Sequence, residues 1–316
     1  MLKGTAMSKK NKKKKKGIAF FSRAKSATPE PMVAEEVTAV GDSGVTVVPA
    51  GAFDYSKANE GQREAIEATD GPVLIIAGPG TGKTYTLVQR ALNLIVNKGV
   101  KPEEIMMATF TEKAAKELVT RISNELTSLN IPVNLTEMYI GTFHSICLRI
   151  IKENLEYTRI KKNFRTLDDF DQKYMVFQNI RMFQRIPRFS DVITSRFAWE
   201  QAKEICSYVN NLTEELVDAD KLAASRNADY EVIGQILLVY QQLVTDNNYL
   251  DFSGIQTEAY WLLSNHPEIL AAVQGKIKHL MIDEYQDTNY IQEQIAFAIQ
   301  IRTKHRAASG SGARTA

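Results

Sequence analysis

The sequence predicts an α/β fold, a parallel sheet with an all-helical stretch inserted into it. Three observations carry this expectation. Strand-like apolar runs alternate with helical periodicity, a glycine-rich loop joins one such run to one such helix, and a long middle stretch carries helical patterns only.

In chain order, residues 1–52 combine the lysine run Lys12 to Lys16 with Pro, Ala, Glu, Val and Gly and show no sustained periodicity. They read as a disordered tail. The lysines suit either a solvated, solubilising segment or non-specific attraction to nucleic acid. The five apolar residues Gly17 to Phe21 fall short of a signal peptide's apolar stretch of about 7–15. Val73 to Ala77, Ile105 to Phe110, Met138 to Phe143 and His279 to Ile282 read as strands. Helical periodicity covers Lys83 to Asn97, Glu112 to Thr127 and Ser145 to Glu156. Between about Glu156 and Asn248 the pattern is helical throughout, clearest over Asp169–Phe183, Ala198–Asn211 and Tyr230–Thr245.

With 316 residues, 44% of them hydrophobic, the chain has material for one large core or two ordinary ones. Its formal charge of +2 conceals an asymmetry: ten Lys and Arg precede Glu30, the first acid, and four follow Glu293, the last. Between Ser26 and Ile301, 25 basic residues face 37 acidic ones. The folded body is acidic, so nucleic-acid contact requires local placement of charge. Cys147 and Cys206 stand alone, which points away from a zinc site or disulfide framework and towards a reducing compartment. No run approaches the roughly 20 apolar residues of a membrane span, and a cytoplasmic protein is expected.

The strand Val73–Ile76 runs into Ala77-Gly78-Pro79-Gly80-Thr81-Gly82-Lys83-Thr84, and the helix continues through Arg90. This is the pattern of a P-loop, which holds the triphosphate of ATP or a close relative. Glycines let the loop wrap with its amides inward, the helix N-terminus offers partial positive charge, Lys83 reaches the outer phosphates and Thr84 ligates Mg²⁺. The strict pattern has Gly where Ala77 stands. A second half is supplied by Asp283 and Glu284 after the apolar run Leu280–Ile282. Asp283 is placed to hold the Mg²⁺ shell and Glu284 to polarise the attacking water.

Asp283-Glu284-Tyr285-Gln286-Asp287-Thr288-Asn289 resembles motif II of the UvrD/Rep group of superfamily I DNA helicases. Other segments agree in order. Asn59 to Ala65 resembles the adenine-reading Q motif, Thr109 to Leu118 motif Ia, and Gly141 to Ser145 motif Ib; Asp251-Phe252 echoes a pattern ahead of motif II. The likeness runs from about Phe53 to about Ala298. It implies a RecA-like subdomain 1A over 53–155 and 249–301, a helical subdomain 1B over 156–248, and a tail over 302–316. It also implies an ATP-dependent 3′-5′ helicase that works with ATP and Mg²⁺ on single-stranded DNA or a 3′-tailed duplex, with no obligate protein partner evident.

By the same resemblance, Gln62 bonds adenine, Lys83, Glu284 and Gln286 serve the chemistry, and Thr84 and Asp283 hold the metal. The nucleotide set is Gln62, Ala77, Gly78, Pro79, Gly80, Thr81, Gly82, Lys83, Thr84 and Arg90. Phe110 stacks on a DNA base, which suits a motor because every base has a π-face, and Thr109, Thr142 and His144 lie near the backbone. Taken singly, Phe110 also suits core packing, and His144 a helix start or a core position.

Residues 302–316 are low-complexity sequence without the strand of motif III, and a second RecA-like domain is expected to be absent. The chain is expected to be the N-terminal half of a helicase. The alternatives are a truncated ATP- and DNA-binding module or a fragment without activity. The family's motif III strand lies between the strand feeding the P-loop and the one ending at Asp283. The chain should therefore carry an unpaired slot there and be unstable unless something fills it.

Overall fold

A computed structural model describes residues 16–22, through their backbone, and residues 53–132 and 134–300. The rest of the expected tails, 1–15, 23–52 and 302–316, lies outside these, as do residues 133 and 301. Among the described residues seven strands follow in chain order: β1 (Lys16–Ser22), β2 (Val73–Ala77), β3 (Ile105–Thr109), β4 (Tyr139–Thr142), β5 (Arg165–Thr166), β6 (Tyr249–Leu250) and β7 (His279–Ile282). The chain divides into two compact units, one of residues 1–142 and 279–288 and one of 143–278 and 289–316.

The first unit is built on a five-stranded sheet of order β2-β1-β7-β3-β4. β7, β3 and β4 run parallel, as the sequence predicts. The sheet as a whole is mixed, because β1 is antiparallel to both β2 and β7. No strand was expected from Lys16–Ser22, yet it stands between the P-loop strand and the strand ending at Asp283. The slot expected there is filled. All five residues of β3 are buried, as befits an interior strand covered on both faces.

Helices α1 (Glu60–Glu67), α2 (Lys83–Leu92) and α3 (Glu112–Ser128) belong to this unit. Helix α3 starts where the Thr111 hydroxyl accepts from Ala114 N at 3.1 Å, a cap worth about 1 kcal/mol. Its Ala115, Leu118, Ile122 and Leu126 recur at helical spacing and are buried. Leu118, Ile122 and Leu126 meet Leu87, Leu92, Ile105, Met107 and Met281 in one core. Helical backbone continues past α2 as a wider turn, Asn93–Asn97.

The second unit is helical: α4 (Phe143–Glu153), α5 (Asp169–Gln178), α6 (Ile180–Gln184), α7 (Phe189–Val192), α8 (Ala198–Glu214), α9 (Ala219–Ala223), α10 (Ala228–Asp246), α11 (Phe252–Asn265), α12 (Pro267–Lys276) and α13 (Tyr290–Gln300). β5 and β6 make a two-residue parallel bridge within it. The helix expected over Asp169–Phe183 is split at Asn179. Val176, Phe183, Ile205, Ile236 and Leu237 form its core.

A buried polar knot orders this unit. Asp251 caps α11 by accepting from Gly254 N at 2.6 Å, and it accepts from Gln172 Nε2 at 2.8 Å and from the Tyr240 hydroxyl. Burial, with Asp251 adding to it, pushes the Tyr240 hydroxyl well above its usual range, so it stays a donor. Arg159 grips Glu258 with Nε and Nη2 at 3.0 and 2.6 Å and lies 4.5 Å over the Trp261 ring.

Candidate nucleotide and nucleic-acid site

Because β1 is antiparallel to both neighbours, β2 and β7 run in the same direction two strands apart, roughly 10 Å. Their carboxyl ends share one edge of the sheet. Thr109 is level with Thr142 in the ladder, and Asp283 N donates to Ala108 O at 2.8 Å, carrying the pairing one residue past β7. The P-loop, Phe110, Thr142 and Asp283 therefore all leave the sheet at its carboxyl edge, where open parallel sheets present their ligand crevices.

Loop geometry explains which glycines matter. Gly80 and Gly82 have φ of 77° and 85°, the left-handed region that favours glycine. A Cβ on Gly82 would lie 2.7 Å from Gln62 Nε2. Ala77 is the last residue of β2, in strand backbone that any residue adopts, so its conformation does not require the glycine of the strict pattern. Thr81 braces the loop, donating from Oγ1 to Gly78 O at 2.8 Å.

Gln62 links α1 to this loop. With Asn59 it forms a reciprocal cap, Asn59 N donating to Gln62 Oε1 at 3.1 Å and Gln62 N to Asn59 Oδ1 at 2.9 Å. Its Nε2 donates to Thr81 O at 3.0 Å. A primary amide has two N–H groups and two lone pairs, so this arrangement leaves capacity for a base edge. Beside it, a cleft of about 520 Å³ runs between α1 and β2, with Ala65, Pro72, Leu74 and Ile76 as apolar walls and Gln62 and Lys83 as polar ones. Leu74 and Ile76 are 60% and 65% exposed on this strand.

At the far side, Glu284 adopts φ 52° and ψ 43°, a left-handed conformation uncommon for a long side chain. Such backbone is found disproportionately at functional positions. Glu284 N donates to Asp283 Oδ1 at 3.0 Å. Gln286 Nε2 donates to Glu284 Oε2 at 2.8 Å and to Asp287 Oδ2 at 3.0 Å. Asp283, Glu284 and Gln286 are thus one hydrogen-bonded turn.

Arg90, grouped with the loop from sequence, is 1% exposed and donates from Nη1 to Ala65 O. Burial holds its guanidinium down to about 10, with Asp70 opposing. Its place is a strut between α2 and α1, about two turns from the phosphate end. Phe110 is 68% exposed, which removes the core-packing reading. Thr109 is 3% exposed and its hydroxyl donates to Thr111 O at 3.0 Å, while the Thr142 hydroxyl donates to Glu112 Oε1 at 3.0 Å. Both hydroxyls serve the loop after β3. In the second unit, the His144 ring meets Phe252 edge-on at 5.2 Å and lies against the buried Gln256 amide. Sequence reading passed over Gln256 and the Asn59 cap. A capping signal in Asn59-x-x-Gln62 was available for the latter.

A strand, a glycine loop with two left-handed glycines and a helix, facing an acidic turn across one sheet edge, define a P-loop protein of α/β architecture. The family model described as UvrD/REP helicase N-terminal domain matches residues 58–308, and the chain belongs to the UvrD/REP helicase family. It is 31% identical over 235 residues to the ATP-dependent DNA helicase PcrA of Bacillus subtilis, and 32% and 31% identical over 237 residues to those of Staphylococcus epidermidis and Staphylococcus aureus. Each match takes in 74% of this chain and 30% of the relative. The chain thus spans less than a third of the length of these curated relatives. No helix among the described residues is long and apolar enough to cross a membrane.

Proposed function

We propose that this chain is the ATP-binding part of a 3′-5′ DNA helicase, holding a nucleotide at the P-loop and single-stranded DNA, or the tail of a 3′-tailed duplex, along the same sheet edge. The observation that carries the reading is the continuity of the cleft from Gln62 to Lys83. It has an apolar slot for a base, an amide to read it, and the P-loop at its end. Its volume is within the range of about 300–1,000 Å³ typical of ligand sites.

In this reading the amides of residues 80–84 and the N-terminal dipole of α2 receive the phosphates, and Lys83 adds a full charge. The Thr84 hydroxyl and the Asp283 carboxylate are hard oxygen donors of the kind Mg²⁺ takes, one or two from protein and the rest from phosphate and water. When bound there the ion offsets the negative charge of the triphosphate. Glu284 accepts a proton from the attacking water, and Gln286 fixes its carboxylate through the 2.8 Å bond. Phe110 supplies a face on which a base stacks. Residues 53–155 with 249–301 correspond in this reading to subdomain 1A and residues 156–248 to 1B, in a cytoplasmic setting.

The test is DNA-stimulated ATP hydrolysis by the purified chain and by Lys83→Ala. Stimulation by single-stranded DNA that disappears in the variant supports the reading. A rate equal to the variant's in all conditions refutes hydrolysis by this chain. A second reading is a module that binds ATP and DNA without unwinding. Strand-displacement assays on a 3′-tailed duplex separate the two.

A further inference from the structure

In the second unit α5 ends at Gln178 with Asn179 as its cap, and α10 ends at Asp246 with Asn247 as its cap. The bridge between β5 and β6 sets Arg165 opposite Tyr249. These ends surround an open cavity of about 250 Å³, lined by Arg165, Tyr174, Gln178, Asn179, Asn247 and Tyr249 together with Asp171. Its polar groups are the ones the fold leaves over. Each cap amide spends one N–H on its own helix, Asn179 Nδ2 donating to Met175 O at 2.9 Å and Asn247 Nδ2 to Leu243 O at 2.8 Å, so both Oδ1 atoms remain as acceptors. Among the described residues, the Gln178 amide and the hydroxyls of Tyr174 and Tyr249 have no hydrogen-bond partner in the protein.

The charge of the cavity narrows the ligand. Helix carboxyl ends carry partial negative charge, so two of them disfavour an anion and favour N–H donors. A simple cation finds no unengaged carboxylate, because Asp171 Oδ2 is held by Arg165 Nη2 at 2.7 Å. The Tyr174 ring is fixed in place, its centroid 6.1 Å from that of Phe170 and 6.5 Å from that of Phe177, at interplanar angles of 7° and 26°. Two phenol rings and unpaired amides suit a neutral, planar ligand with N–H groups along its edge.

We propose that this cavity is a nucleobase site that prefers bases with an exocyclic amino group, adenine, cytosine or guanine, over thymine. The amino group donates to the Oδ1 atoms of Asn179 and Asn247, the Gln178 amide donates to the ring nitrogen or carbonyl beside it, and a tyrosine ring stacks on the base. Thymine offers a single N–H between two carbonyls and leaves the amide acceptors unmet. This goes beyond the DNA reading above, in which Phe110 grips every base alike. The same chemistry serves a base in a single strand and a free nucleoside, and the experiment separates the two sources.

The full chain is titrated with fluorescent 12-residue oligo(dT) in which one central position is dT, dA, dC, dG or abasic, and separately with free deoxycytidine, deoxyguanosine and thymidine by equilibrium dialysis. Oligomers with a central dA, dC or dG are expected to bind about three- to tenfold more tightly than the dT oligomer, and Gln178→Ala or Tyr249→Phe to bring them within twofold of it. Thermal melts of both variants establish that they fold. Phe110→Ala in the same titration weakens all five oligomers together and keeps the preference, which separates this proposal from the reading of Phe110. A preference shown by the oligomers assigns the site to a strand. Binding of free deoxycytidine and deoxyguanosine that Gln178→Ala abolishes, with no preference among the oligomers, assigns it to nucleosides. Affinities within twofold across the oligomers and no Gln178-dependent nucleoside binding overturn the proposal, as does a preference that survives both variants. If no oligomer binds at all, the single-strand reading fails, and the nucleoside titration decides the cavity by itself.

Discussion

Gly82→Ala is a sharp test of how the phosphate loop is built. At φ 85° an alanine is strained by about 1–2 kcal/mol relative to a glycine. Its methyl group would lie 2.7 Å from Gln62 Nε2, so that amide must move and its bond to Thr81 O is lost, at about 0.5–1.5 kcal/mol. A stiffer unfolded chain returns about 0.4–1 kcal/mol. The net is a destabilisation of about 2 kcal/mol, or roughly 1 M in urea midpoint at a slope near 2 kcal/mol/M. Gly78→Ala is the internal control, because its Cβ meets nothing closer than Thr81 Cγ2 at 3.6 Å and its φ lies outside the left-handed region. It should shift the midpoint by less than about 0.3 M. Urea unfolding followed by circular dichroism, with and without nucleotide, measures both. Equal effects of the two substitutions, or a neutral Gly82→Ala, would refute the account of the loop.

Phe110→Ala should weaken binding of a fluorescent oligo(dT) by about 1–3 kcal/mol while leaving thermal stability and nucleotide affinity unchanged, because the ring is mostly exposed. Glu284→Gly relieves about 1–2 kcal/mol of left-handed strain and gives back about 0.5–1 through glycine's flexibility. The bond from Gln286 Nε2 is also lost, at about 0.5–1.5 kcal/mol, so stability should change by less than about 1 kcal/mol while any DNA-stimulated hydrolysis is lost; denaturation and phosphate release measure the two. Cys147 is fully buried, and burial pushes its thiol up to about 12. The native chain should leave it unlabelled by a thiol reagent at pH 8 and label it once unfolded. Because the folded thiol holds its proton more tightly than the unfolded one, its contribution to stability is complete below about pH 9 and declines towards pH 12. Urea midpoints across that interval check the direction.

Much of the loop and the sheet was legible because their signals are local. The left-handed glycines announce themselves in Gly78-Pro79-Gly80-Thr81-Gly82, and the apolar runs at Ile105 and His279 have the length of buried parallel strands. What escaped depends on distant partners. Gly17–Ser22 is a short apolar run beside a lysine tract, and nothing in it specifies pairing with Val73 and Ile282. Arg90 sits on the helix that follows the loop, yet its guanidinium turns to a carbonyl 25 residues earlier. The Thr142 hydroxyl donates to Glu112 Oε1, 30 residues earlier in the chain, a contact that no motif records.

The position of β1 also sets a timetable. As the chain is synthesised, Lys16–Ser22 appears first and its neighbour β2 soon after, but β7, the other neighbour, follows β2 by about 200 residues. At roughly 5–20 residues per second that is an interval of about 10–40 s in which one side of β1 has no native strand to join. The centre of this sheet is therefore completed only once β7 has emerged, and until then an open strand edge is available to whatever else the cell presents to it.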